Sequence, residues 1–256
     1  MAEFFGGEWH GTPFQLFGTA HLIAIAVLIA VNLSFIALRR HPRPAFQRGF
    51  RIGLAILLLV NEAAWHLWNI HIGTWNIQTM LPLHLCSALV FVAAAMLITK
   101  NYTLYEFVYF LGIGGALQGF LTPEIGNFGF PHFLFFQALL SHGGIVTAGI
   151  YMTVVERYRP TWQSLKRVAI VTNIYMVPVG IVNWAIGSNY LFINGKPQTA
   201  SLMDFLGPWP WYILSLEIIG VVMFLLLYAP FAVSDWRAGN AVQGSKFKVT
   251  NEQMSE

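Results

Sequence analysis

The stretch "FGTAHLIAIAVLIAVNLSFIAL", residues 17–38, decides the fold class of this chain, because it is a long apolar run without a single charged residue. Roughly 20 such residues are enough to cross a bilayer as a helix. The segment that follows, "RRHPRPAFQRGFR" at residues 39–51, carries five arginines. An apolar run that ends in a basic cluster is typical of a transmembrane helix that ends in the cytoplasm.

The composition extends this prediction to the whole chain. The 256 residues are 56% hydrophobic and only 10% charged, whereas a soluble domain carries about 25% charged residues. Most of the surface is therefore predicted to face lipid. We expect an all-α polytopic membrane protein, a bundle of seven transmembrane helices in one domain of residues 1–256. The predicted spans lie at roughly 17–38, 52–72, 81–99, 104–121, 132–155, 168–187 and 209–231.

The basic residues predict the orientation of these spans. Thirteen of the 14 Lys and Arg fall on one side of a seven-span arrangement, and Lys196 is alone on the other. By the positive-inside rule the N-terminus is outside, and the tail at 232–256 is cytoplasmic. Residues 1–14 contain no Lys or Arg, so the basic start of a cleaved signal peptide is missing. The formal net charge of +3 then reflects topology, and no nucleic-acid partner is expected.

Polar residues within the spans concentrate in the predicted outer half. An ionisable group inside a span costs about 2.5–3.5 kcal/mol at the centre, so it usually faces the bundle interior. Only His41 among the histidines is predicted to be cytoplasmic. The other seven lie outside or in the outer half: His10, His21, His66, His71, His84, His132 and His142.

The second span carries a polar stripe. Residues spaced i, i+3, i+4 and i+7 share one helix face, and here they are Glu62, Trp65, His66 and Asn69. One interpretation is a polar seam between helices. The other is the wall of a site in which Glu62 orients His66, and the sequence leaves open whether Glu62 is protonated or paired.

The fourth span is rich in glycine. Gly115 and Gly119 form a small-xxx-small pair, which predicts a close approach of a neighbouring backbone. Gln118 lies between them, and its amide needs partners in a dry interior. The Gly- and Pro-rich segment that leads to His132 is a candidate cap over the outer face. Whether the outer loop at 188–208 is a lid or a partner surface stays open.

The only cysteine, Cys86, lies in "LPLHLCSALV" at residues 81–90. A single thiol excludes an intramolecular disulfide and a multi-cysteine metal site. Cys86 is either a small apolar residue of the core or a nucleophile. A thiol with a pKa of about 8.5 is mostly protonated at neutral pH, so a nucleophile needs a base.

On a regular helix, residues two apart point about 200° away from each other, so His84 and Cys86 are not expected to face one site. The base is then expected on another helix, and His21, His66 and His142 lie at suitable depths.

Three motifs carry a resemblance to a known family. They are "LPLHLC" at 81–86, "GALQGFLTP" at 115–123 and "SHGG" at 141–144. With them the chain resembles the YwaF-type bacterial integral membrane proteins, whose eukaryotic relatives are the transmembrane-protein-164 acyltransferases. The resemblance covers most of the chain, from "TAHL" at 19–22 to the seventh span. It implies a multi-pass protein of the bacterial cytoplasmic membrane.

The resemblance also implies roles for two residues. In the eukaryotic relatives a membrane cysteine is thought to carry an acyl group between phospholipids, helped by a histidine two spans later. The matching positions are Cys86 and His142. The more distant androgen-induced membrane hydrolases have a similar layout with threonine as nucleophile.

We therefore predict a cysteine-dependent lipid acyltransferase or lipid ester hydrolase that acts from the outer half of the bilayer on membrane lipids. Cys86 and His142 are the predicted catalytic pair, and His84, His66 or Gln118 would donate hydrogen bonds to the oxyanion. The full set of predicted site-lining or orienting residues is His84, Gln118, His66, Glu62, His21 and Asn69.

Two other functions stay open. The same outward cavity would also suit a non-catalytic binding protein or transporter for a lipid or small molecule. A metal or haem site made of several histidines is disfavoured, because no two intramembrane histidines have i, i+3 or i+4 spacing. We therefore expect no metal and no cofactor.

Overall fold

The computed structural model describes residues 3–197 and 202–253, and it contains helices and no β-strand in those ranges. Each of the seven predicted spans overlaps one helical segment, so the all-helical prediction is confirmed. Six of the segments are long and apolar enough to cross a membrane, and the third is shorter. The segments are α1 (Thr19–Arg40), α2 (Pro44–His71), α3 (Leu85–Thr99), α4 (Tyr102–Leu121), α5 (Phe133–Val154), α6 (Trp162–Ile186) and α7 (Trp211–Gln253).

Local sequence explains several helix ends. Pro44 occupies the first turn of α2, where its missing N–H does no harm. At the start of α6, Thr161 and Ser164 form a capping box. At its end, Gly187 adopts a left-handed conformation with φ 67°, which glycine does without a steric penalty.

The third helix begins later than predicted. Leu81 to His84 form a turn, and His84 has the extended backbone of an N-cap residue, with φ −65° and ψ 144°. Tyrosine side chains from elsewhere supply hydrogen bonds to this turn. The Tyr190 hydroxyl accepts from the Leu81 N–H at 2.8 Å, and the Tyr175 hydroxyl donates to the Leu83 carbonyl at 3.0 Å. Because these backbone groups are satisfied from outside, the turn does not have to be helical.

The central helix of the bundle is α5. It packs against α1, α2, α3 and α4, whereas α6 and α7 lie at the periphery with most of their surface exposed. Glycines allow this close packing: a Cβ added at Gly144 would lie 2.8 Å from Leu58, and one at Gly143 would lie 2.9 Å from Phe120.

Ion pairs join the helices at the basic end of the bundle, where α1 ends and α2 begins. Glu156 contacts Arg51 at 3.1 Å and Lys100 at 2.6 Å. Glu106 is buried and contacts Arg167 at 2.6 Å. Part of the charge that predicts the orientation therefore also holds the helix ends together.

The opposite end of the bundle, which we call the histidine-rich end, carries His71, His84 and His132. Here the segment at 122–132 packs on the N-terminal residues. The N–H of Phe14 donates to the Asn127 carbonyl at 3.2 Å, and the His132 ring bonds the Gly6 carbonyl at 3.0 Å.

Candidate functional site

A cavity of about 410 Å³ lies between α3, α4, α6 and α7 and is covered by residues 191–193 at the histidine-rich end. Its volume is in the range of small-molecule sites, about 300–1,000 Å³. Most of the lining is apolar. The polar side chains that line it are His84, Cys86, Gln118, Thr172, Asn173 and Glu217.

Cys86 lies in the first turn of α3 and lines this cavity with a free, partly buried thiol. Backbone N–H groups in the first turn of a helix have no acceptor within the helix. The first N–H groups of α3 therefore lack helical acceptors at the end of the helix where Cys86 lies.

His84 lines the same cavity, so the expectation that His84 and Cys86 cannot face one site is wrong. That expectation assumed a helix through both residues, but His84 lies just before α3. Its Nδ1 accepts a hydrogen bond from the Leu191 N–H at 3.4 Å. A neutral ring with an accepting Nδ1 carries its proton on Nε2, so His84 is assigned as a donor there.

His142 has the opposite tautomer. Its Nδ1 is 2.8 Å from the Ala138 carbonyl oxygen and must donate, since a carbonyl only accepts. Nε2 of a neutral ring is then an acceptor. His142 does not line the cavity, and within the described residues no hydrogen bond joins it to Cys86.

Gly119 lies against the His142 ring, and neither residue is among those that line the cavity. A Cβ added at Gly119 would lie 2.5 Å from both Nε2 and Cδ2 of the His142 ring. Gly115, in contrast, lines the cavity and has no atom within 4 Å of an added Cβ. The predicted approach of a neighbouring backbone is therefore wrong, since one glycine makes room for an imidazole and the other for the cavity.

The middle of α4 is a π-helix over Val108–Ala116, a local form that often occurs at functional sites. Gln118 follows it and lines the cavity. Its amide nitrogen donates to the Gly114 carbonyl at 3.1 Å, so part of its hydrogen bonding is met within its own helix.

The polar stripe of α2 lies outside the cavity lining. Glu62 is buried, and its Oε1 is 3.8 Å from Nε2 of His66. The Trp75 indole donates to Nδ1 of His66 at 3.1 Å. Asn69 instead closes the end of α2, where its Oδ1 accepts from the Thr74 hydroxyl at 2.8 Å.

His21 is buried and both of its ring nitrogens are bonded. Nδ1 accepts from the Phe17 N–H at 3.1 Å, and Nε2 is 3.0 Å from the Phe120 carbonyl oxygen. The ring thus ties the start of α1 to the end of α4. His21 lies apart from the cavity that Cys86 lines.

The cover of the cavity is the segment 190–193, which lies within the outer loop at 188–208 that the sequence left open as a lid or a partner surface. Leu191 and Phe192 have φ of 59° and 53°, values that are strained for bulky residues. Asn183 holds the segment, because it donates to the Tyr190 carbonyl at 2.9 Å and accepts from the Tyr190 N–H at 2.8 Å.

Tyr190 also fastens the cover to the segment between α2 and α3, because its hydroxyl donates to the Ile77 carbonyl at 2.6 Å. Burial raises the pKa of Tyr190, and the hydrogen bond from the Leu81 N–H opposes this. The segment 122–132, predicted as the cap, supplies no residue to the cavity lining. Of the predicted outer loop, residues 198–201 lie outside the described residues, as do residues 254–256 of the tail.

Three polar residues of the lining were missed as site residues. Asn173 donates to Glu217 at 3.1 Å and so links α6 to α7, and Thr172 is next to it. One sequence signal was present, since Glu217 is the only acidic residue between 209 and 231.

Among the described residues, no three His, Cys, Asp or Glu side chains form a group that would hold a metal ion.

Comparison with known proteins gives the family. The model of the TMEM164 family matches residues 16–228, a range that contains every helix but the last part of α7. The chain belongs to the TMEM164 family. This confirms the resemblance drawn from the three motifs, and with the apolar helices it makes the chain a multi-pass membrane protein. No curated protein and no solved structure matches the chain.

Proposed function

We propose that this TMEM164-family protein is a cysteine-dependent lipid acyltransferase or lipid ester hydrolase. One observation carries the proposal: the only thiol of the chain lines a largely apolar cavity beside a histidine that is assigned as a donor. An apolar cavity suits an acyl chain, and a thiol at its histidine-rich end suits the ester carbonyl.

In the first step the Cys86 sulfur attacks the ester carbonyl of a membrane lipid and forms a C–S bond. The ester C–O bond then breaks, which leaves a thioester on Cys86, and the thiol proton passes to the departing alkoxide by way of a base. In the second step a lipid alcohol or water attacks the thioester, the C–S bond breaks, and the proton of the attacking group returns to the sulfur.

His142 is the base we propose, because its Nε2 is an acceptor in the neutral ring. His142 does not line the cavity, so the proposal requires that α4 or the ring shifts for Nε2 to reach the thiol. The neighbouring π-helix supports such a shift, since its hydrogen bonding departs from that of a regular helix. His84, through Nε2–H, and the first N–H groups of α3 would stabilise the oxyanion.

The site is proposed to act on the outer leaflet of the bacterial cytoplasmic membrane. The histidine-rich end of the bundle is the end that the distribution of Lys and Arg predicts to be outside. A lipid ester of that leaflet would present its carbonyl at about the depth of the first turn of α3.

The test is an intact-mass spectrum of the purified protein after incubation with mixed phospholipids. We expect a gain of one acyl chain that hydroxylamine removes, and its absence in Cys86→Ala. Ser87→Ala is the matched control, because it changes the next residue of the same turn and should keep the adduct. An adduct that persists in Cys86→Ala, or no adduct on folded wild-type protein, contradicts the proposal.

A non-catalytic lipid or small-molecule binding protein is the second candidate. The observation in its favour is that His142 does not line the cavity and forms no hydrogen bond with Cys86 in the described part of the chain. It predicts that lipid binds with no covalent adduct, and that Cys86→Ala binds as well as the wild type. A hydroxylamine-sensitive adduct would show that lipid binding is not the protein's whole function.

A further inference from the structure

A second polar group lies in the cavity, on the two peripheral helices. Thr172 and Asn173 belong to α6 and Glu217 to α7, and all three line the cavity. The proposed acyl transfer uses none of them. Polar side chains within a membrane are costly, and they commonly mark binding sites.

The hydrogen bonds formed by this group leave several of its acceptor oxygens unused. The Asn173 amide nitrogen donates to the Ala169 carbonyl and to Oε2 of Glu217, both at 3.1 Å, so its two N–H bonds are used. The oxygens that remain on Asn173 and Glu217 receive no hydrogen bond from the described residues. The Thr172 hydroxyl is buried and also has no partner there. A buried polar atom without a partner is costly, and a ligand can remove that cost.

The group shares the cavity with Cys86 but lies on other helices. Both α3 and α7 begin at the histidine-rich end. Cys86 is the second residue of α3, whereas Glu217 lies six residues beyond the first residue of α7, or roughly 9 Å along that helix. The thiol and the Glu217 carboxyl group therefore line the same cavity from different helices, so one ligand can contact both.

We propose that Thr172, Asn173 and Glu217 form a binding subsite for a hydrogen-bond-donating group of a lipid, either a hydroxyl or an ammonium. Acceptor oxygens from two helices complement such a donor. They disfavour a group whose O–H or N–H hydrogens are replaced by methyl groups. The proposal rests on the proposed function only in taking the occupant of the cavity to be a lipid.

The test measures binding of four probes to the purified full-length protein by native mass spectrometry. The probes are a hexadecyl glycerol ether, its dimethyl ether, hexadecylamine and hexadecyltrimethylammonium. None contains an ester, so binding does not depend on thiol chemistry. We expect at least one free donor to bind about tenfold more tightly than its methylated counterpart, the effect of a hydrogen bond to a charged or buried acceptor. The pair that differs identifies the donor as hydroxyl or ammonium.

Two variants and one control make the assignment specific. Glu217→Leu and the nearly isosteric Thr172→Val should each reduce the preference for the free donor, Glu217→Leu to none. Leu214→Ala removes a lipid-exposed side chain of the same helix and should leave it unchanged. Size-exclusion profiles establish that each variant is folded. Equal binding of free and methylated probes, or a full preference in both variants, overturns the subsite.

Probe binding, measured on the wild type and on Cys86→Ala, together with the acyl-adduct experiment on the wild type, separates the two proposals. If the acyl adduct is never found but the preference for a free donor persists, the acyl-transfer proposal fails and the subsite stands. If the adduct forms but free and methylated probes bind equally, the subsite fails alone.

Discussion

At the scale of single residues, His84 and His142 differ in the nitrogen that carries the ring proton, and the difference is set by one backbone partner each. The Leu191 N–H gives Nδ1 of His84 a proton to accept, and the Ala138 carbonyl takes the proton of Nδ1 of His142. A donor and an acceptor imidazole are what oxyanion stabilisation and base catalysis respectively need. Neither assignment is encoded in the residues themselves.

Gly119→Ala tests whether the close contact with Gly119 positions the His142 ring. An added Cβ would lie 2.5 Å from the ring, so the ring or α4 must move, and overpacking of this kind costs about 1–3 kcal/mol of stability. We expect a lower Tm and, if His142 is the base, acylation of Cys86 slowed roughly 100-fold or more. Differential scanning fluorimetry and timed intact-mass spectra measure the two effects.

Gly115→Ala is the control for this substitution. It lies one turn away in the same helix, and an added Cβ there has no atom within 4 Å. Its Tm should be unchanged or higher, because alanine favours a helix by up to about 1 kcal/mol over glycine. Equal losses of Tm in the two variants would show that the contact with His142 is not the cause.

At the scale of elements, the turn before α3 and the cover of the cavity depend on each other. The Tyr190 hydroxyl bonds both Ile77 and Leu81, and the cover in turn supplies the Leu191 N–H to His84. The strained φ angles of Leu191 and Phe192 persist because these bonds hold the segment. The start of α3, and with it the exposure of Cys86 to the cavity, is therefore a property of two distant segments.

Tyr190→Phe should loosen this cover. The substitution keeps the ring but removes the hydroxyl, so the Leu81 N–H loses its acceptor at a cost of about 1–3 kcal/mol. We expect faster amide hydrogen exchange in peptides that cover 77–84 and 188–193. Tyr228→Phe, whose hydroxyl forms no hydrogen bond in the described residues, is the control. Unchanged exchange in both segments would mean that the hydroxyl does not hold the cover.

At the scale of the whole molecule, the orientation remains a prediction from the distribution of Lys and Arg. In a Cys86→Ala background, Lys196→Cys should react with a membrane-impermeant maleimide on intact cells. Arg40→Cys should react only after permeabilisation, since thirteen of the 14 basic residues lie on its side. The reverse pattern of labelling would place the histidine-rich end and the cavity cover in the cytoplasm.

Much of the whole-molecule architecture was predictable from the sequence, and less of the site was. The seven apolar spans correspond to helical segments, yet α2 begins at Pro44 rather than at 52 and α3 begins at Leu85 rather than at 81. Cys86, His84 and Gln118 do line one cavity. Five other predicted residues do not line it: Glu62, His66, Asn69, His21 and His142. They could not be placed from the sequence, because a shared helix face or a similar depth does not say which neighbouring helix a side chain contacts.

The sequence by itself determined the membrane class, the approximate positions of the helical segments and the family, because hydropathy and the order of motifs are properties of contiguous residues. Only the tertiary structure decided which side chains share the cavity, what covers it and where His142 lies. Those outcomes depend on single contacts between residues far apart in the chain: Tyr190 with Leu81, Leu191 with His84, His142 with Gly119 and Asn173 with Glu217. Each is a matter of a few ångströms between helices, a distance that no periodicity along the chain specifies.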